Sequence, residues 1–351
     1  MKKILALVLS LVLVFGLCAS ALADGGKIGV AMPTQDLQRW NQDGDNMKKQ
    51  LEAAGYEVDL QYAKNDVALQ VSQLENMILG GCKVLVIASI DGSALGTVLA
   101  SAKEEGIPVI AYDRLIMKSD AVSYYATFDN YKVGTIQGQF IEEKLGLKDG
   151  KGPFNIELFA GSPDDNNALF FFQGAWDVLK PYIDKGQLVV PSGQTDFQTI
   201  AISGWKSEGA QNRMDNLLTA NYSDGKPLAA VLSPNDSLAI GIANSLTNMS
   251  FDPYPIVTGQ DCDKANMKNI LAGKQAMSIF KDTRTLASKV VGMVDALMKG
   301  TEPEVNDTKT YDNGEGKIIP SYLCDPVFAD KDNYKELLID SGYYTEADIT
   351  G

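Results

Sequence analysis

The 351 residues of this sequence include no histidine. The side chains that we consider for chemistry are its carboxylates, carboxamides, cations and indoles. The absence of histidine excludes Ser-His and Cys-His catalysis and any imidazole metal site. Carboxylates accept hydrogen bonds, Arg and Lys donate them, carboxamides do both, and an indole offers a flat apolar face. Such a set suits a small molecule that carries several hydroxyl groups.

Several of these side chains directly follow segments that have the pattern of β-strands. Asp113 and Arg114 come after one apolar run, Asn235 after another and Lys281 after a third. Because ligands of open parallel sheets bind beyond the carboxyl ends of the strands, we expect one polar cleft there. The side chains predicted to line it are Arg39, Trp40, Asp113, Arg114, Asp165, Asn167, Trp205, Asn235, Asp261 and Lys281, with Asp91 and Phe170 as two additional wall residues.

The elements that must position these residues are short apolar strands that alternate with amphipathic helices. The strands are predicted at Lys27–Met32, Val58–Tyr62, Val84–Ala88, Pro108–Tyr112, Val122–Thr127, Phe154–Phe159, Leu188–Val190, Leu228–Leu232, Pro255–Thr258 and Ala276–Phe280. Clear helical periodicity occurs between them, as in Ala68–Leu79 and Val133–Leu145. The alternation predicts an α/β fold of two doubly wound parallel-sheet lobes, joined by hinge strands, with the ligand cleft between them.

The chain is predicted to pass between the two lobes more than once. The N-terminal lobe is expected to comprise residues 24–127 plus 283–316. The C-terminal lobe is expected to comprise residues 128–282 plus 317–351. Neither lobe is separated from the other by a Pro-rich or Ser-rich linker, which favours short hinge segments.

The first 23 residues have the pattern of a signal peptide. Met1-Lys2-Lys3 is basic, residues 4–17 are apolar but too short for a membrane span of about 20 residues, and Ala21-Leu22-Ala23 fits a cleavage site. The alternative is lipid attachment at Cys18, although Leu17 stands where that processing site prefers a small residue. The mature protein is therefore predicted to be exported, to the periplasm or the cell-envelope exterior.

Charge and motifs exclude several classes of partner. The formal net charge of −14 has the wrong sign for neutralising phosphates, so nucleic acid is not expected. Neither GxGxxG nor GxxxxGKS/T occurs, which argues against a nucleotide or a phosphorylated ligand. Residues 41–52 superficially suggest a calcium loop, but Asn46 stands where that loop requires Gly. We expect no metal, no cofactor and a monomeric chain.

The stretches that carry these residues resemble the periplasmic sugar-binding proteins of ABC importers, in particular the xylose-binding and multiple-monosaccharide-binding subgroup. The resemblance covers essentially the whole mature chain as an ordered set of short motifs. They are Arg39-Trp40, Ala111-Tyr112-Asp113-Arg114, Phe128-Asp129-Asn130, Gly161–Ala168, Leu232–Asp236, Gly259-Gln260-Asp261, Ile279–Thr283, Glu302–Tyr311 and Pro320-Ser321-Tyr322.

The resemblance implies a role for each lining residue. Trp40 and Trp205 would stack on opposite faces of a sugar, and Asp113 and Arg114 would hold its hydroxyls from the N-terminal lobe. The other hydrogen-bonding residues that it implies are Arg39 in the N-terminal lobe and Asp165, Asn167, Asn235, Asp261 and Lys281 in the C-terminal lobe. Asp91 and Phe170 have no firm match in the family's pattern.

The function that the resemblance implies is binding, without a bond made or broken. The lobes would close around an aldose of the xylose, glucose, galactose or arabinose class and deliver it to the membrane subunits of an ABC permease. One alternative is a sugar sensor that partners a chemoreceptor or a sensor kinase. Another is an exported glycoside-acting enzyme, suggested by the adjacent carboxylates Asp164 and Asp165.

Each lining residue also has a structural interpretation that the sequence leaves open. Asp113 and Arg114 could form a surface ion pair, and Lys281 could be a solvated strand-end lysine. The two tryptophans could be core aromatics. Because Asp and Asn are favoured at helix N-termini, Asp165, Asn167 and Asn235 could simply cap the helices that follow them.

Overall fold

The structure is a computed structural model, and it describes residues 25–351. The predicted signal peptide, including Cys18 and the cleavage site after Ala23, lies outside the described residues. Within residues 25–351 no helix combines the length and the apolar character that a membrane crossing requires.

The N-terminal lobe, called the N-lobe below, is built on a six-stranded parallel sheet. Its strands are β1 (Lys27–Met32), β2 (Glu57–Tyr62), β3 (Val84–Ile87), β4 (Val109–Tyr112), β5 (Val122–Phe128) and β11 (Ser321–Cys324), in the order β11-β5-β4-β3-β1-β2. Its helices are α1 (Gln38–Ala53), α2 (Val67–Leu79), α3 (Gly96–Glu104) and α10 (Thr283–Met298). Every residue of β3 and β4 is buried, as expected for apolar strands covered by helices on both faces.

The C-terminal lobe, called the C-lobe below, has a four-stranded parallel sheet and a short antiparallel pair. The parallel strands are β6 (Phe154–Leu158), β7 (Leu188–Val189), β8 (Ala230–Leu232) and β9 (Ile256–Val257), in the order β7-β6-β8-β9. The antiparallel pair is β10 (Ser278–Phe280) with β12 (Val327–Ala329). The helices are α4 (Asn130–Leu145), α5 (Asn166–Asp184), α6 (Phe197–Ile200), α7 (Ser207–Asn221), α8 (Asp236–Asn248), α9 (Lys264–Leu271) and α11 (Glu346–Thr350).

Three segments connect the lobes. The chain crosses after β5 into α4, after β10 into α10, and after β11 into β12. The predicted α/β class with two parallel-sheet lobes is confirmed, and each of the ten predicted strands overlaps an observed one. The apolar strand runs carried that prediction, because strands of a parallel sheet that is covered on both faces are apolar on both sides.

The end of the chain corrects two details of the prediction. Residues 321–324 were expected in the C-lobe, but they form β11, which pairs in parallel with β5 of the N-lobe. The lobe boundary drawn at residue 316 is therefore too early, and we place the third crossing after Cys324. The other difference is β12, whose antiparallel pairing with β10 departs from an all-parallel C-lobe. Both strands are short, with polar or exposed positions that mask the strand pattern.

The segment considered as a calcium loop is helical. Residues 41–52 lie inside α1, where the side chain of Asp43 is committed to Arg39. Among residues 25–351, no group of three or more Cys, Asp or Glu side chains has the arrangement of a metal site.

Candidate functional site

One cavity lies between the carboxyl ends of the strands of the two lobes. Its walls are close together and leave about 20 Å³ for the centre of a water-sized molecule. The residues that line it are Leu37, Arg39, Trp40, Asp113, Arg114, Asp165, Asn167, Phe171, Trp205, Asn235, Gln260, Asp261 and Lys281. All ten residues of the principal predicted set are among them. Their role in binding a ligand stays a prediction.

The N-lobe wall of the cavity, formed by Arg39, Trp40, Asp113 and Arg114, is held by ion pairs. Arg39 donates to Asp43 Oδ2 from Nε at 3.0 Å and from Nη2 at 2.8 Å. The same Nη2 lies 3.0 Å from Asp113 Oδ2. Burial alone would raise the pKa of Asp113, but Arg39 and the other nearby cations hold it below its usual value. Asp113 is therefore ionised at neutral pH and able to accept hydrogen bonds.

Asp113 has an unusual backbone conformation for a residue that is not glycine. Its φ of +59° is in the left-handed region, which costs free energy and is tolerated only where neighbouring contacts enforce it. Here its carbonyl oxygen accepts three hydrogen bonds, from Tyr125 Oη at 2.6 Å, Thr127 Oγ1 at 2.9 Å and Asn167 Nδ2 at 2.7 Å. These bonds fix the carboxylate at the end of β4, facing the cavity.

Trp40 and Arg114 complete the N-lobe wall. The guanidinium carbons of Arg39 and Arg114 lie 4.3 and 5.1 Å from the centre of the Trp40 ring, within the range of a cation–π contact. Arg114 also donates from Nη1 to the carbonyl of Ser89 at 3.1 Å. Trp40 is only 2 % exposed, so its indole is both part of the N-lobe core and part of the cavity wall.

In the C-lobe wall, a residue can cap a helix and line the cavity at the same time. This wall is formed by Asp165, Asn167, Trp205, Asn235, Asp261 and Lys281. Asp165 Oδ1 caps α5 by accepting from the backbone N–H of Asn167 at 3.0 Å, while its Oδ2 lies 3.0 Å from Arg114 Nε across the cleft. Asn235 Oδ1 caps α8 by accepting from the backbone N–H of Leu238 at 3.1 Å. The cap therefore uses only the amide oxygen of Asn235, which leaves its NH₂ group for a ligand.

Asn167 is not a helix cap. Its Nδ2 donates to the carbonyl of Asp113, and its Oδ1 accepts from Tyr125 Oη and from Asn130 Nδ2, both at 3.0 Å. Asn167 is thus a C-lobe side chain whose hydrogen bonds reach the N-lobe. One of its two N–H donors remains for a ligand.

Trp205 lies where its ring can form the aromatic face opposite Trp40. A side chain at Gly161 would place a Cβ 1.9 Å from the Trp205 ring, so only glycine admits the indole there. Phe171 meets the ring edge to face, with centres 6.4 Å apart. Trp205 has a φ of +57° and follows Gly204, which also has a positive φ. This tight turn directs the Trp205 indole towards the cleft.

Asp261 and Lys281 close the far side of the cavity. Lys281 Nζ lies 3.2 Å from Asp261 Oδ1 and 3.8 Å from Asp113 Oδ2, so it bridges carboxylates of both lobes. Asp261 has a φ of +99°, and its backbone N–H donates to the carbonyl of Ile279 at 2.8 Å. Lys281 is 3 % exposed, which excludes the interpretation as a solvated lysine.

Buried polar atoms without a hydrogen-bond partner concentrate at this cavity. Eleven such side-chain atoms occur in residues 25–351, and five belong to cavity-lining residues. They are Trp40 Nε1, Asp113 Oδ2, Arg114 Nε, Trp205 Nε1 and Gln260 Oε1. Although Asp113 Oδ2 and Arg114 Nε are close to opposite charges, those contacts are poorly aligned for hydrogen bonding. Since an unsatisfied buried group costs about 1–3 kcal/mol, their clustering indicates a place where a polar ligand binds.

Two predicted wall residues lie elsewhere. Asp91 Oδ1 accepts from the backbone N–H of Ser93 at 2.8 Å, so its carboxylate stabilises its own loop. The Phe170 ring packs against Tyr311 of the N-lobe, with centres 5.2 Å apart, and does not line the cavity. Both expectations are corrected: strand-end position alone does not determine on which side of a loop or helix a side chain lies.

Sequence reasoning also missed residues at and behind the cavity. Phe171 follows Asn167 by four residues on α5, and this helical spacing could have placed both on one face. Asp43 follows Arg39 by the same interval on α1, a spacing typical of an intrahelical ion pair. Gln260 lies inside the motif Gly259-Gln260-Asp261 but was not singled out.

Comparison with known proteins identifies a matching family and similar sequences. Residues 28–302 match a family model described as a periplasmic binding protein domain. The chain is 57% identical, over 92% of its length and 92% of the relative's, to a multiple sugar-binding periplasmic receptor from Rhizobium radiobacter. It is 38% identical, over 92% of each chain, to a D-xylose-binding periplasmic protein from Escherichia coli.

Solved structures also resemble the fold closely. An ABC transporter solute-binding protein from Clostridium phytofermentans with bound β-D-glucose is 69% identical and has a TM-score of 0.91, with 92% of this chain and 100% of that chain covered. A carbohydrate transporter solute-binding protein from Chloroflexus aurantiacus in complex with D-glucose is 35% identical, with a TM-score of 0.85 and coverage of 92% and 98%.

Proposed function

The chain belongs to the periplasmic binding protein family, and we propose that its lobes close around one monosaccharide outside the cytoplasm. The proposal rests on the five unpartnered polar atoms at the cavity between the lobes. They include indole and guanidinium donors as well as carboxylate and amide acceptors, and a sugar hydroxyl is both donor and acceptor. The relatives that bind D-xylose and D-glucose support an aldose as the ligand.

The proposed contacts follow from the two walls. Trp40 and Trp205 would present apolar ring faces to the C–H groups of the sugar, from opposite lobes. Hydrogen bonds to charged groups contribute about 1.5–3 kcal/mol each. Four or five of them, less the ordering cost, support a Kd in the micromolar range or below, near −8 kcal/mol. Because both lobes contribute, the sugar stabilises the closed form by its differential affinity for it.

Delivery to an ABC permease is the proposed use of the closed form. The structural relatives described as ABC transporter solute-binding proteins support this partner. The relative described as a receptor supports a second partner of the closed form, a membrane sensor of the chemoreceptor or sensor-kinase type. Export of the mature chain after Ala23, with no lipid on Cys18, is part of the proposal and is tested by the mass of the mature N-terminus.

A glycoside-acting site would need two carboxylates that face one bond. Asp164 is exposed, whereas Asp165 is buried in the cavity wall, so the adjacent pair does not present two carboxylates to one ligand. The family binds solutes. A chromogenic glycoside therefore stays uncleaved if the proposal is right, and steady release of the chromophore would support the enzyme instead.

Calorimetry with D-glucose, D-xylose, D-galactose and L-arabinose tests the proposal directly. We expect saturable binding of at least one aldose at a stoichiometry of about one, as a single cleft requires. Asp91→Asn is the matched control, since that carboxylate lies in a loop off the cavity, and it should bind as the unmodified protein does. Silence of the folded protein across the whole panel would overturn the proposal.

A further inference from the structure

Helix α5 contacts the N-lobe beside the cavity through Asn167, which lines the cavity, and through Phe170, which does not. Asn167 and Phe170 are three residues apart, so they lie on one face of the helix. Asn167 Oδ1 accepts from Tyr125 Oη at 3.0 Å, and the Phe170 ring packs against Tyr311 at 5.2 Å between centres. Tyr125 and Tyr311 pack edge to face at 5.0 Å, so the two contacts form one cluster.

We propose that these four residues, Tyr125, Tyr311, Asn167 and Phe170, form an interlobe latch that sets the stability of the closed form. The latch joins N-lobe side chains to a C-lobe helix, so its contacts are lost when the lobes separate. Tyr125, Tyr311 and Phe170 do not line the cavity, so none of them touches a sugar bound there. The inference rests on the proposed function for its ligand but not for its structural basis.

The hydroxyl of Tyr125 is the polar part of the latch. Tyr125 is fully buried, and the single proton of its hydroxyl is shared between Asp113 O at 2.6 Å and Asn167 Oδ1 at 3.0 Å. Thr127 Oγ1 also donates to Asp113 O, so Asp113 keeps a hydrogen-bond donor from its own lobe when the Tyr125 hydroxyl is removed. Tyr125→Phe therefore removes this interlobe contact together with one of the three hydrogen bonds to Asp113 O. It leaves the ring, its packing on Tyr311 and the Thr127 bond to Asp113 O.

The apolar part of the latch is specific to one of three adjacent phenylalanines. Phe171 faces the cavity and Trp205, whereas Phe172 stacks on Trp176 within the C-lobe at 5.6 Å between centres. Phe170 is the one that reaches a residue of the N-lobe. Phe172→Ala is therefore a matched control for Phe170→Ala, because it removes the same ring from the same helix without touching the other lobe.

A latch and a sugar contact change binding in different ways. Loss of a latch contact destabilises the closed form equally for every sugar, so all affinities fall by one factor and dissociation accelerates. Loss of a direct contact changes the ratio between sugars, because each sugar places its hydroxyls differently. The ratio of the D-glucose and D-xylose affinities therefore separates the two cases.

The experiment compares Tyr125→Phe, Phe170→Ala and Phe172→Ala with the unmodified protein. We expect D-glucose and D-xylose to dissociate about fivefold faster from Tyr125→Phe, the effect of one net hydrogen bond of about 1 kcal/mol. For Phe170→Ala we expect about tenfold, at an unchanged affinity ratio, because the change removes both a ring–ring contact and the apolar area of a half-buried side chain. Phe172→Ala should leave the dissociation rate unchanged even if it lowers the unfolding temperature.

Small-angle scattering without sugar gives a second measurement. Both latch variants should have a larger radius of gyration than the unmodified protein and Phe172→Ala, since their lobes spend more time apart. This measurement tests the latch even if no aldose of the panel binds and the proposed function fails. Unchanged scattering together with unchanged dissociation would overturn the latch, and so would a shifted glucose-to-xylose ratio.

Discussion

The N-lobe wall of the cleft is held mainly by charges, whereas the C-lobe wall combines the ion pair of Lys281 and Asp261 with helix caps and loop contacts. On the N-lobe side, the single guanidinium group of Arg39 forms ion pairs with both Asp43 and Asp113. On the C-lobe side, Asp165 and Asn235 each accept a hydrogen bond from a helix N-terminus with one side-chain oxygen. In a charge network, a few bonds contribute most of the stabilising free energy. Helix caps distribute the stabilising free energy over several elements.

The difference predicts how each wall responds to damage. Removing one charge from the N-lobe wall leaves its buried partners uncompensated, which is more costly than the loss of a neutral bond. Removing one contact from the C-lobe wall leaves the remaining caps and strands to hold the loops. We therefore expect substitutions in the N-lobe wall to reduce sugar affinity more than comparable ones in the C-lobe wall.

The largest effect is expected for Asp113→Asn. The change keeps the size of the side chain but removes the negative charge beside Arg39 and Lys281. With loss of charged hydrogen bonds of about 1.5–3 kcal/mol each, affinity for the aldose should fall about a hundredfold or more. Calorimetry measures it, with circular dichroism to show that the variant is folded. A loss no greater than for Asn235→Ala would contradict the comparison of the two walls.

Asp43→Asn tests whether the N-lobe wall is held from behind. Asp43 does not line the cavity but accepts two hydrogen bonds from Arg39 and one from the Tyr112 hydroxyl. Without its charge, Arg39 loses its orientation, and we expect about a thirtyfold rise in Kd. Exposed Asp45→Asn, on the same helix, is the matched control. Equal affinities of the two variants would show that Arg39 needs no support.

Gln137→Ala is the corresponding test of the C-lobe wall. Gln137 Nε2 on α4 donates to the carbonyls of Pro234 and Gly259 at 3.2 and 2.9 Å, so it ties together the loops that carry Asn235 and Asp261. Because the bonds from Gln137 to these two loops are neutral, Kd should rise only about tenfold. Exposed Gln139→Ala on the same helix should have no effect. An effect larger than that of Asp43→Asn would reverse the ranking of the two walls.

The sequence was sufficient to predict the residues of the two walls but not how they are held. Strand-end position identified Asp113, Asn235 and Lys281, because the topology of parallel sheets gathers carboxyl ends at one edge. It could not predict that Asn167 bonds across to the N-lobe, since an interlobe contact depends on the relative position of two domains.

Two adjacent phenylalanines show the same limit. Phe170 and Phe171 are adjacent and chemically identical, yet one packs on Tyr311 and the other lines the cavity. They differ by a rotation of about 100° along the helix, but both lie three or four residues after Asn167. The spacing alone therefore does not decide which of the two rings lines the cavity. A related limit applies to β11, because its four residues are too few to show a strand pattern and are recognised by their pairing with β5.

The smallest effect concerns pH, where the two walls should respond in opposite directions. Cations hold the pKa of Asp113 below its usual value despite burial, so its contribution to stability is present at neutral pH and is lost as pH falls through that lowered pKa. Asp263, behind the C-lobe wall, is the opposite case. Burial and the neighbouring carboxylate of Asp261 raise its pKa, and its Oδ1 is buried without a partner.

A carboxyl with a raised pKa binds a proton more tightly in the folded state than in the unfolded state, whose pKa is about 3.9. Stability from Asp263 is therefore lost as pH rises from about 4 through its raised pKa. Asp263→Asn removes the charge that must be buried at high pH, so it should raise the unfolding temperature by a few degrees at pH 8 and by less at pH 5. Thermal unfolding of this variant and of exposed Asp45→Asn at both pH values measures the difference. An equal gain at the two pH values would show that Asp263 does not titrate in this range, and the contrast between the walls would then rest on the binding data alone.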